Sequence, residues 1–181
     1  MPKPQKAMEN FMSFNHEKFR SFMMANKDLP HTSKYHAETF FQHVMCMVQF
    51  ANYTAEYNRA FIIATCLHDI GKPSTHAYRE GKGNTFYGHE EIGATMVKEF
   101  LTEDDPDYDQ VVFLVREHML PFQIKGPEPW ASYAQKQLIG FASQKPSIWI
   151  ANLFYLNELD KISNPDAKFE ELVEELYNIN A

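Results

Sequence analysis

Apolar positions recur at i, i+3, i+4 and i+7 along nearly the whole chain, the spacing of one buried helical face. The pattern predicts a first helix over 8–26, with Phe11, Phe14, Phe19 and Phe22 among its apolar residues. Pro30-His31-Thr32-Ser33 reads as a loop ending in a good N-cap, and a second helix follows over 34–52. Thr54 caps a third, which stops at Gly71. Glycine suits a left-handed residue just past a helix end, and Pro73 bars continuation. From Pro73 to Gly88 the periodicity is lost, and Gly81 and Gly83 interrupt the chain further. Long loops in compact domains are often functional. Gly88 opens a fourth helix, to about Thr102, with Glu90 and Glu91 in its first turn. Pro106 starts a fifth, ending near Met119. A second loop covers Pro121 to Pro129. Three more helices span about 130–143, 146–162 and 165–178, the last acidic on its exposed face. No strand-like alternation stands out, so the fold class is all-α.

The same spacing shows which polar residues share the apolar faces. His43 lies with Phe40, Val44 and Met47. His68 lies with Phe61, Ala64 and Thr65, and Asp69 is one step round with Ile62 and Cys66. His89 lies with Ile92, Gly93, Met96 and Phe100; His118 with Val111, Leu114 and Val115; Asp160 with Trp149, Leu153 and Leu156. A single histidine on such a face is usually a hydrogen-bonded core residue. Asp160 alone could be salt-bridged to Lys161. The coincidence recurs on five helices, however, and buried carboxylates must be paired or bind metal. No lysine or arginine stands on the stripes of Asp69 and Asp160. Four histidines converging with two aspartates compose an imidazole–carboxylate site suited to iron, manganese, cobalt, nickel or zinc rather than calcium.

Length and composition fit one soluble domain of 181 residues, 44% hydrophobic and 23% charged. No apolar run reaches the about 18 residues of a membrane span, and residues 1–10 lack the apolar core of a signal peptide. Cys46 and Cys66 sit in apolar helical contexts, as buried thiols rather than ligands or a disulfide, which fits a cytoplasmic setting. A net charge of -7 argues against extended nucleic-acid coating and leaves room for a nucleotide or a short RNA end at a local basic site.

The order His43, His68-Asp69, His89, His118, Asp160 resembles the HD-domain superfamily. The likeness covers about Tyr35 to Ile162. It is carried by Tyr35-His36-Ala37-Glu38 ahead of His43, by His68-Asp69-Ile70-Gly71-Lys72-Pro73, and by Phe86-Tyr87-Gly88-His89-Glu90 followed by Gly93-Ala94. It is nearest to the HD domains of bacterial CCA-adding enzymes and of some RNA-end-healing polynucleotide kinases. The resemblance implies a single-domain helical bundle: a helical extension over 1–33, the metal-binding core over 34–162 and an acidic helix over 163–181. It also implies phosphohydrolase activity with one or two divalent metals. Carried over by position, His43, His68, Asp69 and Asp160 hold a first metal. His89 and His118 complete a second, with Asp69 bridging. Gly71-Lys72 after the His-Asp pair counts against a guanosine-tetraphosphate hydrolase, and the lack of a Gly-Tyr-Pro signature against cyclic-di-guanylate cleavage. No nucleotidyltransferase or P-loop segment is visible, so a stand-alone HD domain is expected.

The expected chemistry is metal-assisted hydrolysis of a phosphate ester, with a bridged water between ions about 3.5–4 Å apart. Asp69 orients that water, and Lys72 binds a phosphoryl oxygen. Arg79, Lys82 and His76 in the long loop are substrate candidates, although such a loop is often merely solvated. His36 lies seven residues before His43, roughly 10 Å along a helix axis, too far for a shared metal. It is a candidate for substrate contact or for supporting the ligands. Glu90 is a possible support for His89, and Phe122 and Trp130 could stack a base, with lip or core packing the commoner role. The substrate is a nucleotide or an RNA-end phosphate. Two other readings share these ligands: a di-iron oxygenase acting on a small polyol or phosphonate, and a non-catalytic nucleotide-binding module. Substrate identity, metal identity and oligomeric state stay open.

Overall fold

Asn15 and Asn58 illustrate how the sequence starts its helices. Their side chains accept from the backbone N–H of Lys18 and Phe61, each at 2.9 Å, satisfying amides that a helix leaves without partners. The computed structural model describes residues 13–31, 38–53, 58–162 and 164–179. Within them run α1 (His16–Ala25), α2 (Phe40–Tyr53), α3 (Arg59–Leu67), α4 (Lys72–Thr75), α5 (His89–Met96), α6 (Tyr108–Glu117), α7 (Leu120–Gln123), α8 (Trp130–Gln144), α9 (Ser147–Leu159) and α10 (Phe169–Tyr177). The all-α expectation holds.

Several boundaries differ from the expectation. The start of α2 is a reciprocal capping box, in which Thr39 N–H donates to Gln42 Oε1 at 3.0 Å and Gln42 N–H to Thr39 Oγ1 at 3.2 Å. Thr54 and Ser33, the expected caps, lie outside the described residues, and Asn58 caps α3 instead. The long loop is not structureless. Ala77–Arg79 (β1) and Gly83–Thr85 (β2) pair antiparallel, with Ala77 opposite Thr85. Gly81 and Gly83, at φ 75° and 76°, turn the chain between and into these strands. Their short length and lack of apolar alternation hid them. The loop over 121–129 likewise begins inside the one-turn α7.

Two apolar clusters pack around the centre. One joins Phe19 and Met23 of α1, Phe40 and Val44 of α2, Val115 of α6, and Leu172 and Leu176 of α10. The other joins Met47, Phe61, Leu114, Leu138, Leu153 and Leu156. Helices α2, α3 and α6 contribute to both, so the layer between the clusters is where their polar residues meet. Helix α3 is enclosed from Ile63 to Leu67, with Ala60 and Phe61 also buried. Arg59 at its start donates to both oxygens of Asp105 at 3.0 Å and to Asp107 at 2.8 Å, tying α3 to the turn before α6.

Gly71 was expected to be left-handed. Its φ is -76°, so conformational freedom is not why it is glycine. A Cβ there would stand 2.1 Å from the His89 carbonyl oxygen and 2.7 Å from the Gly93 nitrogen. The missing side chain lets α5 dock against the chain leaving α3. Gly140 is the opposite case, a helical glycine with open space around its absent Cβ. Gly71→Ala is therefore expected to destabilise by about 1–3 kcal/mol or more, and Gly140→Ala to stabilise by about 0.4–1 kcal/mol. Denaturant unfolding checks both; effects of the same sign would contradict this packing.

Candidate metal centre

His68 and Asp69 follow directly on α3, His118 follows on α6 and Asp160 on α9, while His89 opens α5 and His43 stands in the first turn of α2. The last carbonyls of a helix have no amide partner, and imidazoles take them up. His68 Nδ1 donates to the Thr65 carbonyl at 2.9 Å and His118 Nδ1 to the Val115 carbonyl at 2.7 Å. His89 Nδ1 donates to the Phe86 carbonyl at 2.9 Å, with Glu90 Oε2 3.3 Å away. His43 Nδ1 donates to the Glu38 carboxylate at 3.2 Å. Carbonyl and carboxylate oxygens only accept, so all four rings carry a proton on Nδ1 and turn Nε2 inward.

Those inward nitrogens surround two buried carboxylates. Asp69 Oδ2 lies 3.2 Å from His68 Nε2 and 3.6 Å from His43 Nε2. Asp69 Oδ1 lies 3.2 Å from His89 Nε2 and 3.7 Å from His118 Nε2. Asp160 Oδ1 lies 2.9 Å from His43 Nε2 and 3.7 Å from His68 Nε2. The donor atoms form two groups, each within 4.8 Å: His43, His68, Asp69 and Asp160, and Asp69, His89 and His118. Asp69 belongs to both, offering one oxygen to each side.

Divalent metal fits this set. The Nε2 atoms of His89 and His118 approach to 3.1 Å while each ring's Nδ1 is committed to a backbone carbonyl, an arrangement that suits a cation shared by both. His68 Nε2 and both Asp69 oxygens make no aligned hydrogen bond despite the nitrogens around them. Burial pushes the His68 imidazole down, but Asp69 and Asp160 outweigh it and hold it up at about 10. Against the opposite pull of burial, His68 and Lys72 hold the Asp69 carboxyl well below the ordinary range, and His43 and His68 do the same for Asp160. Burial, with the neighbouring His89 and His68, pushes His118 down to about 3, leaving it neutral. The carboxylates thus demand positive charge at the inward nitrogens, which a metal supplies while the rings stay neutral.

Sequence reasoning placed Lys72 at the site but did not foresee its contact with Asp69, and it missed His31 and the role of Glu38. Lys72 is buried. It is 8% exposed and its Nζ lies 2.6 Å from Asp69 Oδ2, so Asp69 does have a cationic neighbour. His31, read only as a loop residue, stacks on His43 with ring centroids 4.4 Å apart and touches Lys72 Nζ. Neither periodicity nor a motif pointed to it. Glu38 was read as part of a motif, but its role as the partner of His43 was not; an acid five residues before a ligating histidine is the signal that could have shown it.

A cavity of about 630 Å³ opens on the centre, walled by His31, Lys72, Phe86, His89, Asn157 and Asp160, with Tyr87, Met119 and Phe122 further along. Of the expected substrate contacts, Lys72 reaches it. Arg79 and Lys82 do not: both are exposed on the hairpin, with their cations 4.9 and 5.9 Å from the Tyr87 ring centre. His76 bonds Asn84 Oδ1 at 2.9 Å. His36 lies outside the described residues. Phe122 is on the cavity wall, whereas Trp130 is 62% exposed and off it. Lys161 pairs with Glu158 rather than with Asp160.

The family model of the HD domain matches residues 40–163. The chain belongs to the HD-domain family. Membership places this HD domain in a superfamily of metal-dependent phosphohydrolases, and the His/Asp cluster is a site that could hold their metal. The chain is also 38% identical over 61 residues to the A-adding tRNA nucleotidyltransferase of Deinococcus radiodurans, a stretch covering 32% of this chain and 14% of that protein. The chain thus matches a small part of that enzyme's length. Among the described residues, no helix is long and apolar enough to cross a membrane.

If Glu38 sets the tautomer and basicity of His43, Glu38→Gln weakens metal binding at that side by about 10–100-fold. Competitive titration of the protein with manganese or nickel against a chelating dye measures this. Unchanged affinity would show that Glu38 serves only the fold.

Proposed function

We propose that this HD domain hydrolyses phosphate esters of nucleotides or RNA ends, either monoesters or 2′,3′-cyclic phosphates, using one or two divalent transition metals. The observation that carries the reading is the convergence of six donor side chains beside a single cavity, whose wall includes His89, Asp160 and the buried Lys72. His43, His68, Asp69 and Asp160 would hold a first ion, and Asp69, His89 and His118 a second. Bound there, metal supplies a Lewis acid for the phosphoryl group and lowers the pKa of an attacking water.

The chain's own residues do the rest. Asp69, with an oxygen toward each half of the centre, fixes the two halves relative to each other. Lys72 is held between Asp69 and His31 and faces the cavity. Its ammonium is a preorganised donor for a phosphoryl oxygen, strongest where water is excluded. The Nδ1 hydrogen bonds keep each imidazole from rotating, so its lone pair stays on target. Phe86, Met119 and Phe122 offer apolar wall to the non-phosphate part of the substrate.

A screen with manganese, cobalt, nickel or iron, scoring phosphate release from nucleoside monophosphates and triphosphates and ring-opening of 2′,3′-cyclic phosphates to monoesters, tests the reading. Wild type is expected to release phosphate without oxygen present. Asp69→Ala abolishes release, and Lys72→Ala lowers kcat by about 100–1,000-fold. Turnover that needs oxygen would make the centre an oxygenase. Nucleotide binding with no turnover under any metal would make it a binding module.

A further inference from the structure

Lys72 is held in its place by two different forces. Its Nζ lies 2.6 Å from Asp69 Oδ2, yet that oxygen receives no aligned hydrogen bond. The attraction is one of charge, which depends on distance and leaves the ammonium free to turn. A hydrogen bond weakens steeply off line, so it does orient. Among the described residues, the one aligned hydrogen bond of this ammonium is with His31 Nε2. An ammonium only donates, so His31 Nε2 is the acceptor and the ring proton sits on Nδ1.

Backbone contacts fix His31 before its ring is considered. Phe40 N–H donates to the Leu29 carbonyl at 3.0 Å and Pro30 pairs with Thr39, so the segment leaving α1 is tied to the start of α2. The ring is buried, stacks on His43 with centroids 4.4 Å apart and packs against Phe86 at 5.8 Å. Phe86 lies in turn 5.5 Å from Lys72 Nζ. His31, Lys72 and Phe86 all wall the cavity. One N–H of the ammonium is taken by His31 and the Asp69 carboxylate draws another, which leaves a third for a ligand in the cavity. We propose that His31 is a positioning residue: its Nε2 fixes the direction of the Lys72 ammonium, so that the remaining N–H meets a phosphoryl oxygen. The identity of that oxygen rests on the phosphohydrolase reading. Two simpler roles compete. One is metal ligation, since His31, Glu38 and His43 offer donors within 4.8 Å of one another. The other is packing that merely steadies the His43 ring.

Two substitutions, tried in two backgrounds, separate these roles. His31→Phe keeps a ring on His43 and removes the acceptor. His31→Gln gives up the ring and returns an amide oxygen near the Nε2 position. In the manganese-loaded protein, on whichever ester wild type cleaves, His31→Phe is expected to lower kcat by about 10–100-fold with little change in KM. His31→Gln recovers most of that loss. In the Lys72→Ala background, His31→Phe costs less than about twofold, because the ammonium it orients is gone. Equal cost in both backgrounds, or a glutamine no better than phenylalanine, overturns the proposal in favour of packing. A fall in the manganese affinity of His31→Phe by about 10-fold or more overturns it in favour of ligation. A further readout needs neither a variant nor turnover. Long-range 1H–15N NMR of the zinc-loaded wild type is expected to show His31 with a proton on Nδ1 and none on Nε2. A protonated or metal-bound Nε2 overturns the proposal. If no ester is hydrolysed under any divalent metal, the phosphohydrolase reading fails by itself, and the nitrogen shifts still decide whether His31 holds the ammonium.

Discussion

Two carboxylates are enclosed by four imidazoles that have already given their ring proton to someone else. That is the constraint on which the rest of the molecule depends. Burying Asp69 and Asp160 is unfavourable unless positive charge comes with them. Lys72 supplies one charge, against one oxygen of Asp69. The Nδ1 atoms of the four histidines are committed to Thr65, Phe86, Val115 and Glu38, which leaves their Nε2 atoms facing the carboxylates. A divalent cation is the simplest group that satisfies carboxylates and imidazoles at once.

The helical frame makes this arrangement by using its own ends. A histidine just past a helix finds a free carbonyl three residues back, and that hydrogen bond both caps the helix and sets the tautomer. His68 and His118 use this device in the same way. The two apolar clusters, sharing α2, α3 and α6, hold those ends in one layer. Close approach of α5 at Gly71 then brings His89 within reach of His118. Stability and ligand geometry thus rest on the same contacts, and neither can be altered without the other.

Much of this was legible in the chain because helical periodicity has one dominant signal. His43, His68, His89, His118 and Asp160 each fall on an apolar stripe, and the stripes meet. What periodicity cannot show is position along a third dimension. His31 follows α1 and lies on no helix, so its place against His43 carries no periodic signal. Lys72 was legible as a site residue, but its burial against Asp69 was not, because a one-turn helix carries no pattern. Arg79 and Lys82 looked like substrate contacts because an unpatterned loop gives no facing; pairing into a hairpin turned them outward. Gly71 was assigned the right residue type for the wrong reason, since a φ preference and a packing requirement both select glycine.

Anomalous diffraction from crystals grown with manganese, recorded near its absorption edge, would test the centre most directly. Two peaks are expected on either side of the Asp69 carboxylate, one among His43, His68 and Asp160 and one beside His89 and His118. Peaks elsewhere on the protein, or none with manganese in excess, would contradict a metal centre built from these six side chains.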